Sequence, residues 1–292
     1  MAAGNDQEAA GNDQDPLIEL SSRRPEPTVS VVIPAKNEAL NLPQVLTRIP
    51  TGVDEVILVD GNSMDDTIAV ARKLLPGIVV IGQTRKGKGN ALACGFAAAT
   101  SEIIVMLDAD GSTDPAEIPR FVAALTEGAD FAKGSRFMPG AGSSDISRLR
   151  QMGNFWLNRI VNLLYRTRYT DLCYGYNAFR RDCLAVMGLD PGRPGDVQAD
   201  SMLWGDGFEV ETLINVRIAK AGLRVAEVPS FERGRFSGAS NLHAFSDGLR
   251  VLRTIHAERR QGNRPVVPLP ELDGGRGPAS WAGLSTMAEE AG

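Results

Sequence analysis

A chain of 292 residues, 43% hydrophobic and 23% charged, can bury the core of one large α/β domain or of two small ones. Its formal net charge of -5 excludes a general nucleic-acid binder, which needs a basic surface to displace phosphate counterions. Cys94, Cys173 and Cys183 lack paired spacing, and His243 and His256 are isolated, so zinc clusters and histidine-based chemistry are excluded and each cysteine is expected to be a buried free thiol.

Residues 1–27 repeat Ala-Ala-Gly-Asn-Asp-Gln and then carry Pro16, Pro25 and Pro27, which predicts a disordered tail. The polar start is unlike a secretory signal peptide, and no apolar run reaches the ~20 residues that span a bilayer. A cytoplasmic location, at most peripheral at the inner face of the membrane, is expected. The folded body should run over 28–260, and 261–292, rich in Pro, Gly and small residues, should form a second disordered tail.

Within the body, apolar β-branched runs at 29–33, 56–59, 78–81 and 103–107 predict strands buried on both faces. Helical patterns at 40–48, 67–75 and 90–99 lie between and after them. This alternation predicts an α/β fold with a Rossmann-like, mostly parallel central sheet flanked by helices. Ligands of such sheets sit beyond the carboxyl ends of the strands. The segments 34–38, 60–67 and 108–114 occupy those ends.

Asp108, Ala109 and Asp110 place two carboxylates, one small residue apart, directly after an apolar strand. Such a pair repels itself unless it shares a cation, and all-oxygen ligands suit Mg2+ or Mn2+ held together with substrate phosphates. Asp114 followed by Pro115 has the form of a helix N-cap with Pro at the first helical position. Asp60 ends the second strand as a candidate acceptor for a base or ribose, whereas Ser63, Asp65 and Thr67 are read as turn and cap residues. The run from Arg85 to Asn90, containing Lys88 between two glycines, has the logic of a phosphate cradle without the P-loop pattern.

In this order the pieces resemble the family 2 glycosyltransferases of GT-A fold. The likeness comprises Val32-Ile33-Pro34-Ala35-Lys36-Asn37-Glu38, the stretch from Val59 to Thr67, Gly87-Lys88-Gly89 and Asp108-Ala109-Asp110. Downstream it continues through Gly134-Ser135-Arg136-Phe137, Asp171 to Arg181, Gly207 to Glu211, Glu227-Val228-Pro229 and Arg235 to Ser240. The downstream half is most similar to polyprenyl- and dolichyl-phosphate mannose synthases. The resemblance implies a UDP- or GDP-sugar donor held by Pro34, Lys36, Glu38, Asp60, Asp108, Ala109 and Asp110, with metal on Asp108 and Asp110. It also implies that Arg136 faces the acceptor or donor phosphate, that Arg235 closes on the donor diphosphate, and that reaction proceeds with inversion. The sequence departs from the family pattern at Gly61, at Asn241, and in the aromatic wording of residues 171–177.

Residues 154–169 and 242–260 are basic amphipathic stretches, each suited either to packing on the catalytic body or to lying on an anionic bilayer. The resemblance, in which helices at this position meet a membrane, favours the second use. The acceptor is expected to be a polyprenyl phosphate, whose oxygen is already anionic and needs positioning by Arg136 and Arg150 more than a base. The alternative is a soluble hydroxyl acceptor, with Asp206, Glu209 or Glu211 as general base and Glu211 the best match. A sugar-phosphate nucleotidyltransferase would carry a Gly-rich loop where Pro34 to Glu38 stand, and a non-catalytic nucleotide-binding protein would not need Asp108 and Asp110.

Overall fold

The computed structural model describes residues 26–192, 202–238 and 244–260. Residues 1–25 of the expected tail over 1–27 and all of the expected tail over 261–292, together with Ser240, Asn241 and His243, lie outside the described residues. Strands β1 (Val29–Ala35), β2 (Glu55–Asp60), β3 (Val79–Gly82) and β4 (Ile103–Met106) pair in parallel in the order β3-β2-β1-β4. Three further strands, β5 (Phe131–Ser135), β7 (Asn177–Arg180) and β8 (Val225–Pro229), extend the sheet to seven in the order β3-β2-β1-β4-β7-β5-β8. Only β7 runs against its neighbours β4 and β5, so the sheet is mostly parallel, as expected. The short β6 (Gly142–Ser143) pairs with β9 (Phe231–Glu232) as a separate ribbon.

Alternation along the central strands sends side chains to two cores. Val31 and Ile33 join Leu58, Val105, Leu42 and Phe121 on one face, while Val32 joins Ile57, Ile104, Phe96 and Ile214 on the other. The expectation of burial on both faces fails for β3. It ends the sheet, where helix cover is incomplete, and Val79 is 41% exposed.

Helix α1 (Leu42–Leu46) is shorter than its pattern because Pro43 is accommodated only in the first turn, leaving Leu40 outside and exposed. Helices α2 (Thr67–Leu74) and α3 (Lys88–Ala98) follow their strands, and Asp114 caps the 3₁₀ turn before α4 (Ile118–Thr126) by accepting from Ala116 N at 3.0 Å. Helix α5 (Arg148–Tyr165) begins six residues before the expected stretch, where Ser147 caps it by accepting from Arg150 N. After α6 (Cys183–Met187), helices α7 (Val210–Lys220) and α8 (Ala244–Arg260) complete the set. Leu157 and Val161 of α5, Val216 of α7, and Val251 and Ile255 of α8 form a third core, so α5 and α8 stand as an outer layer on α7.

Candidate active site

The carboxyl ends of β1, β2 and β4 open into a cleft of about 1120 Å³ that continues between α5 and α8. Two loops make its floor. After β1, Asn37 N donates to Ser63 Oγ, Glu38 N to Thr67 Oγ1, and Ala39 N to Asp65, so the loop after β2 splints the loop after β1. Ser63, Asp65 and Thr67 thus have the local structural use expected of them. Pro34, Lys36 and Glu38 line the cleft directly. Asp60 accepts from Ser63 N through one oxygen, while its other oxygen is buried without a partner among the described residues.

Ala109 is buried in the core within a turn, and Asp108 and Asp110 on either side of it meet different neighbours. Asp108 Oδ1 meets Lys88 Nζ at 2.7 Å, and the same ammonium lies 2.8 Å from Glu211 Oε1. Asp110 Oδ2 accepts from Arg235 Nε at 2.9 Å, and Arg235 also reaches Glu38 Oε1 at 3.3 Å. The mutual repulsion expected of the two aspartates is therefore relieved by two side-chain cations of the chain itself. Burial opposes the charge on Lys88, but Asp108 and Glu211 outweigh it and hold its pKa above the ordinary lysine value. Burial likewise works against ionised Asp110, yet hydrogen bonds from Ser112 and the charge of Arg235 keep its carboxyl below the usual range. Glu38 goes the other way: burial, with Asp110 and Asp108 adding to it, raises its pKa despite Asn41 and Arg235.

Asp108 and Asp110 fit a hard divalent cation. Both carboxylates face the cleft, and no cluster of three or more His, Cys, Asp or Glu capable of holding a metal exists among the described residues. Such a site binds through one or two carboxylates and leaves the remaining positions to substrate phosphates.

The glycines around Lys88 are packed against protein backbone, while Lys86, Gly87 and Lys88 line the cleft. A β-carbon on Gly87 would lie 2.1 Å from the Asp206 carbonyl oxygen, and one on Gly89 would lie 1.8 Å from that of Gly205. Both positions are glycine because the backbone of residues 205–206 packs against them.

On the opposite wall Arg136 lines the cleft, but its guanidinium is engaged by protein rather than open to a phosphate. Nε and Nη2 bond Asp171 at 2.7 and 2.9 Å, Nη1 bonds both oxygens of Glu232 at 3.0 Å, and the Tyr174 ring lies 4.8 Å beneath it. These contacts fix the Tyr174–Gly175 loop against the Lys88 bridge. A β-carbon on Gly175 would stand 3.1 Å from Glu211 Oε1. Tyr174 stood out in the sequence only within the aromatic wording of residues 171–177, and Glu232 not at all, because their part depends on pairings between residues far apart in the chain.

Beyond this loop the cleft is walled by Ile146, Leu149, Met152 and Trp156 from α5 and its approach, and by Leu249 and Leu252 from α8. The apolar stripe Leu149, Met152, Trp156 was legible from the Ser147 cap onward, had the helix been started there. Cys173, expected to be buried, is exposed on this wall; the protein packed around its sulfur and the nearby Asp171 push its thiol up to about 12. Of the three candidate bases, Asp206 and Glu209 are tied into their own loop, Asp206 by Arg85 and Leu203 N and Glu209 by Gly205 N and Gly207 N. Glu211 alone of the three reaches the Lys88 bridge.

A mostly parallel sheet with an Asp-x-Asp pair in the cleft at its carboxyl edge is the arrangement of a glycosyltransferase of GT-A fold. The solved structure of glucosyl-3-phosphoglycerate synthase from Mycobacterium tuberculosis, in complex with Mn2+, UDP and glucosyl-3-phosphoglycerate, shares this fold. It has a TM-score of 0.57 and 24% identity over 84% of this chain and 82% of its own. Residues 30–187 match the model of glycosyl transferase family 2, and the chain belongs to that family. A glycosyltransferase of unassigned activity from Mycobacterium tuberculosis is 34% identical over 73% of this chain and 89% of its own length. An undecaprenyl-phosphate mannosyltransferase from Micrococcus luteus is 32% identical over 69% of this chain and 82% of its own.

Proposed function

We propose that the enzyme transfers a hexosyl group, with inversion, from a UDP- or GDP-sugar to a polyprenyl phosphate. The observation that carries the acceptor is the apolar arm of the cleft between α5 and α8, lined by Leu149, Met152, Trp156, Leu249 and Leu252. A prenyl chain fits such a lining, whereas a small polar acceptor gains nothing from it. Lys88 supports the same reading. It holds Glu211 in an ion pair, which suits a nucleophile that arrives already ionised and needs no base.

In this reading Asp60, with its unpartnered buried oxygen, accepts from the base or ribose, and Pro34, Lys36 and Glu38 line the nucleotide. Asp108 and Asp110 hold Mg2+ or Mn2+, which when bound neutralises charge on the leaving diphosphate. Lys88 and Arg235 bring further positive charge to the same oxygens. Arg136 acts by fixing the Tyr174–Gly175 loop where the two substrates meet.

No described helix is long and apolar enough to cross a membrane. Phe155, Trp156 and Leu163 of α5 are nevertheless 56, 59 and 82% exposed, alongside exposed Arg148, Arg159 and Arg166. A peripheral seat on anionic lipid would cover these side chains and bring the apolar arm to its substrate.

The test is donor turnover with Mg2+ or Mn2+, offering polyprenyl phosphate in one series and soluble acceptors in another. Lipid-linked product that falls about 10³-fold in Asp110→Ala is expected, the scale set by loss of a transition-state charge contact. Product with soluble acceptors alone would move the assignment to a hydroxyl acceptor and return Glu211 to the role of base.

A further inference from the structure

We infer that Asp206 is a positioning residue for Lys88, acting through a buried clasp with Arg85. The inference rests on the donor reading of the cleft, in which Lys88 meets the leaving diphosphate. Asp206 is 4% and Arg85 9% exposed. Arg85 Nε and Nη2 meet the two Asp206 oxygens at 2.8 and 3.0 Å, a bidentate contact that fixes direction as well as distance. Asp206 also accepts from Leu203 N at 2.8 Å, and its carbonyl accepts from Gly89 N at 2.7 Å. Asn90 Oδ1 holds the other end of the turn by accepting from Thr84 N and Arg85 N.

Lys88 lies between the two glycines that receive this backbone, and it is the first residue of α3. Glu211, its partner, lies in the first turn of α7, directly downstream of the same loop. Both ends of the Lys88–Glu211 pair therefore hang on one clasp. Any shift of residues 203–206 moves the ammonium and one of its carboxylates together, away from Asp108. Asp206 itself touches no cleft atom of the reaction, since its oxygens are taken by Arg85 and Leu203 N.

The experiment compares full-length wild type with Asp206→Asn, which keeps the side-chain shape and removes the nearer of the two carboxylate charges facing Arg85, the other being Asp190 at 3.7 Å. The first readout is the rate at which Lys88 is labelled by an amine-reactive ester, followed by mass spectrometry, with fully buried Lys133 as internal reference. The second is steady-state donor kinetics. Labelling of Lys88 should rise roughly tenfold while Lys133 stays slow, and kcat should fall about 30-fold with a donor KM change under about threefold, as displacement of a charge-stabilising group by a fraction of an ångström requires. If the variant does not fold, Arg85→Lys, which keeps the charge and loses the bidentate contact, carries the same comparison. Lys88 labelling and kcat both within twofold of wild type overturn the clasp, as does a joint rise of Lys88 and Lys133, which would mean general loosening. Should wild type turn over no nucleotide sugar, the proposed function fails, while the labelling ratio still decides whether Asp206 positions Lys88.

Discussion

The two walls of the cleft are held in place by different means. The wall proposed to take the donor hangs on the tips of three adjacent parallel strands, and the carboxylates Glu38, Asp108, Asp110 and, from α7, Glu211 share two cations, Lys88 and Arg235. The wall proposed to take the acceptor is made of α5, α8 and the loop from Asp171 to Tyr176, a loop that Arg136 ties to Glu232, and it is lined largely by apolar side chains. One wall gathers four carboxylates around two side-chain cations. The other has its charge locked into a strut and offers surface. Under the proposed function, the contrast would separate chemistry from recognition by assigning each to a different part of the fold.

The largest expected effect tests whether the walls are separable. The Arg136 and Asp171 side chains are 6% and 0% exposed, and removing one partner of such a pair leaves a buried charge uncompensated. Asp171→Asn should lower unfolding free energy by about 3 kcal/mol, the low end of the range because Glu232 still faces Arg136. Urea unfolding reads this directly. The folded variant should bind nucleotide with unchanged affinity, and a parallel loss of nucleotide binding would show the two walls to be one unit.

The donor wall was also far more legible in the sequence, for a physical reason. The runs 56–59 and 103–107 are apolar throughout, so Asp60 and Asp108, the first polar residues after them, mark the sheet edge from local pattern, with Asp110 one residue beyond Ala109; Glu38 owed its role to the family resemblance. The acceptor wall depends on contacts distant in sequence. Arg136 meets Glu232 across 96 positions, and Tyr174 reaches Ser230 across 56, distances that no periodicity encodes. The glycines beside Lys88 carry a signal whose source is also distant: glycine marks close approach of some group, and here the backbone of residues 205–206 makes that approach. The short strands β5, β7 and β8 escaped notice because they mix Gly, Lys, Asn and Glu among their apolar residues.

A smaller effect isolates recognition. Trp156 is 59% exposed and Leu252 41%, and both line the apolar arm, so introducing charge there should not disturb the core. Trp156→Glu with Leu252→Glu should raise KM for polyprenyl phosphate about 30-fold, equivalent to roughly 2 kcal/mol of lost apolar contact. Slow hydrolysis of the donor by water should be unaltered. A rise in donor KM in the same variant would mean that the arm contributes to nucleotide binding and would break the division of labour.

The smallest effect sits on the donor wall and is read by pH. Arg235 Nε lies 2.9 Å from Asp110 Oδ2 with both side chains partly buried, so Arg235→Gln should cost about 1 kcal/mol of stability at neutral pH. Burial raises the Asp110 pKa, but Ser112 and Arg235 prevail and lower it, so this carboxylate stabilises the fold above the unfolded value and the benefit is lost as pH falls through its folded pKa. Glu38, raised by burial, opposes folding as it ionises, and Arg235 offsets part of that opposition. Both acids give the same sign. The deficit of Arg235→Gln should be full at pH 6 to 7, shrink below about pH 4 as the carboxylates protonate, and shrink also in about 0.5 M salt through screening. Thermal unfolding across that range measures it, and a deficit independent of pH would mean that Arg235 holds its loop by packing and not as the counter-ion of Asp110.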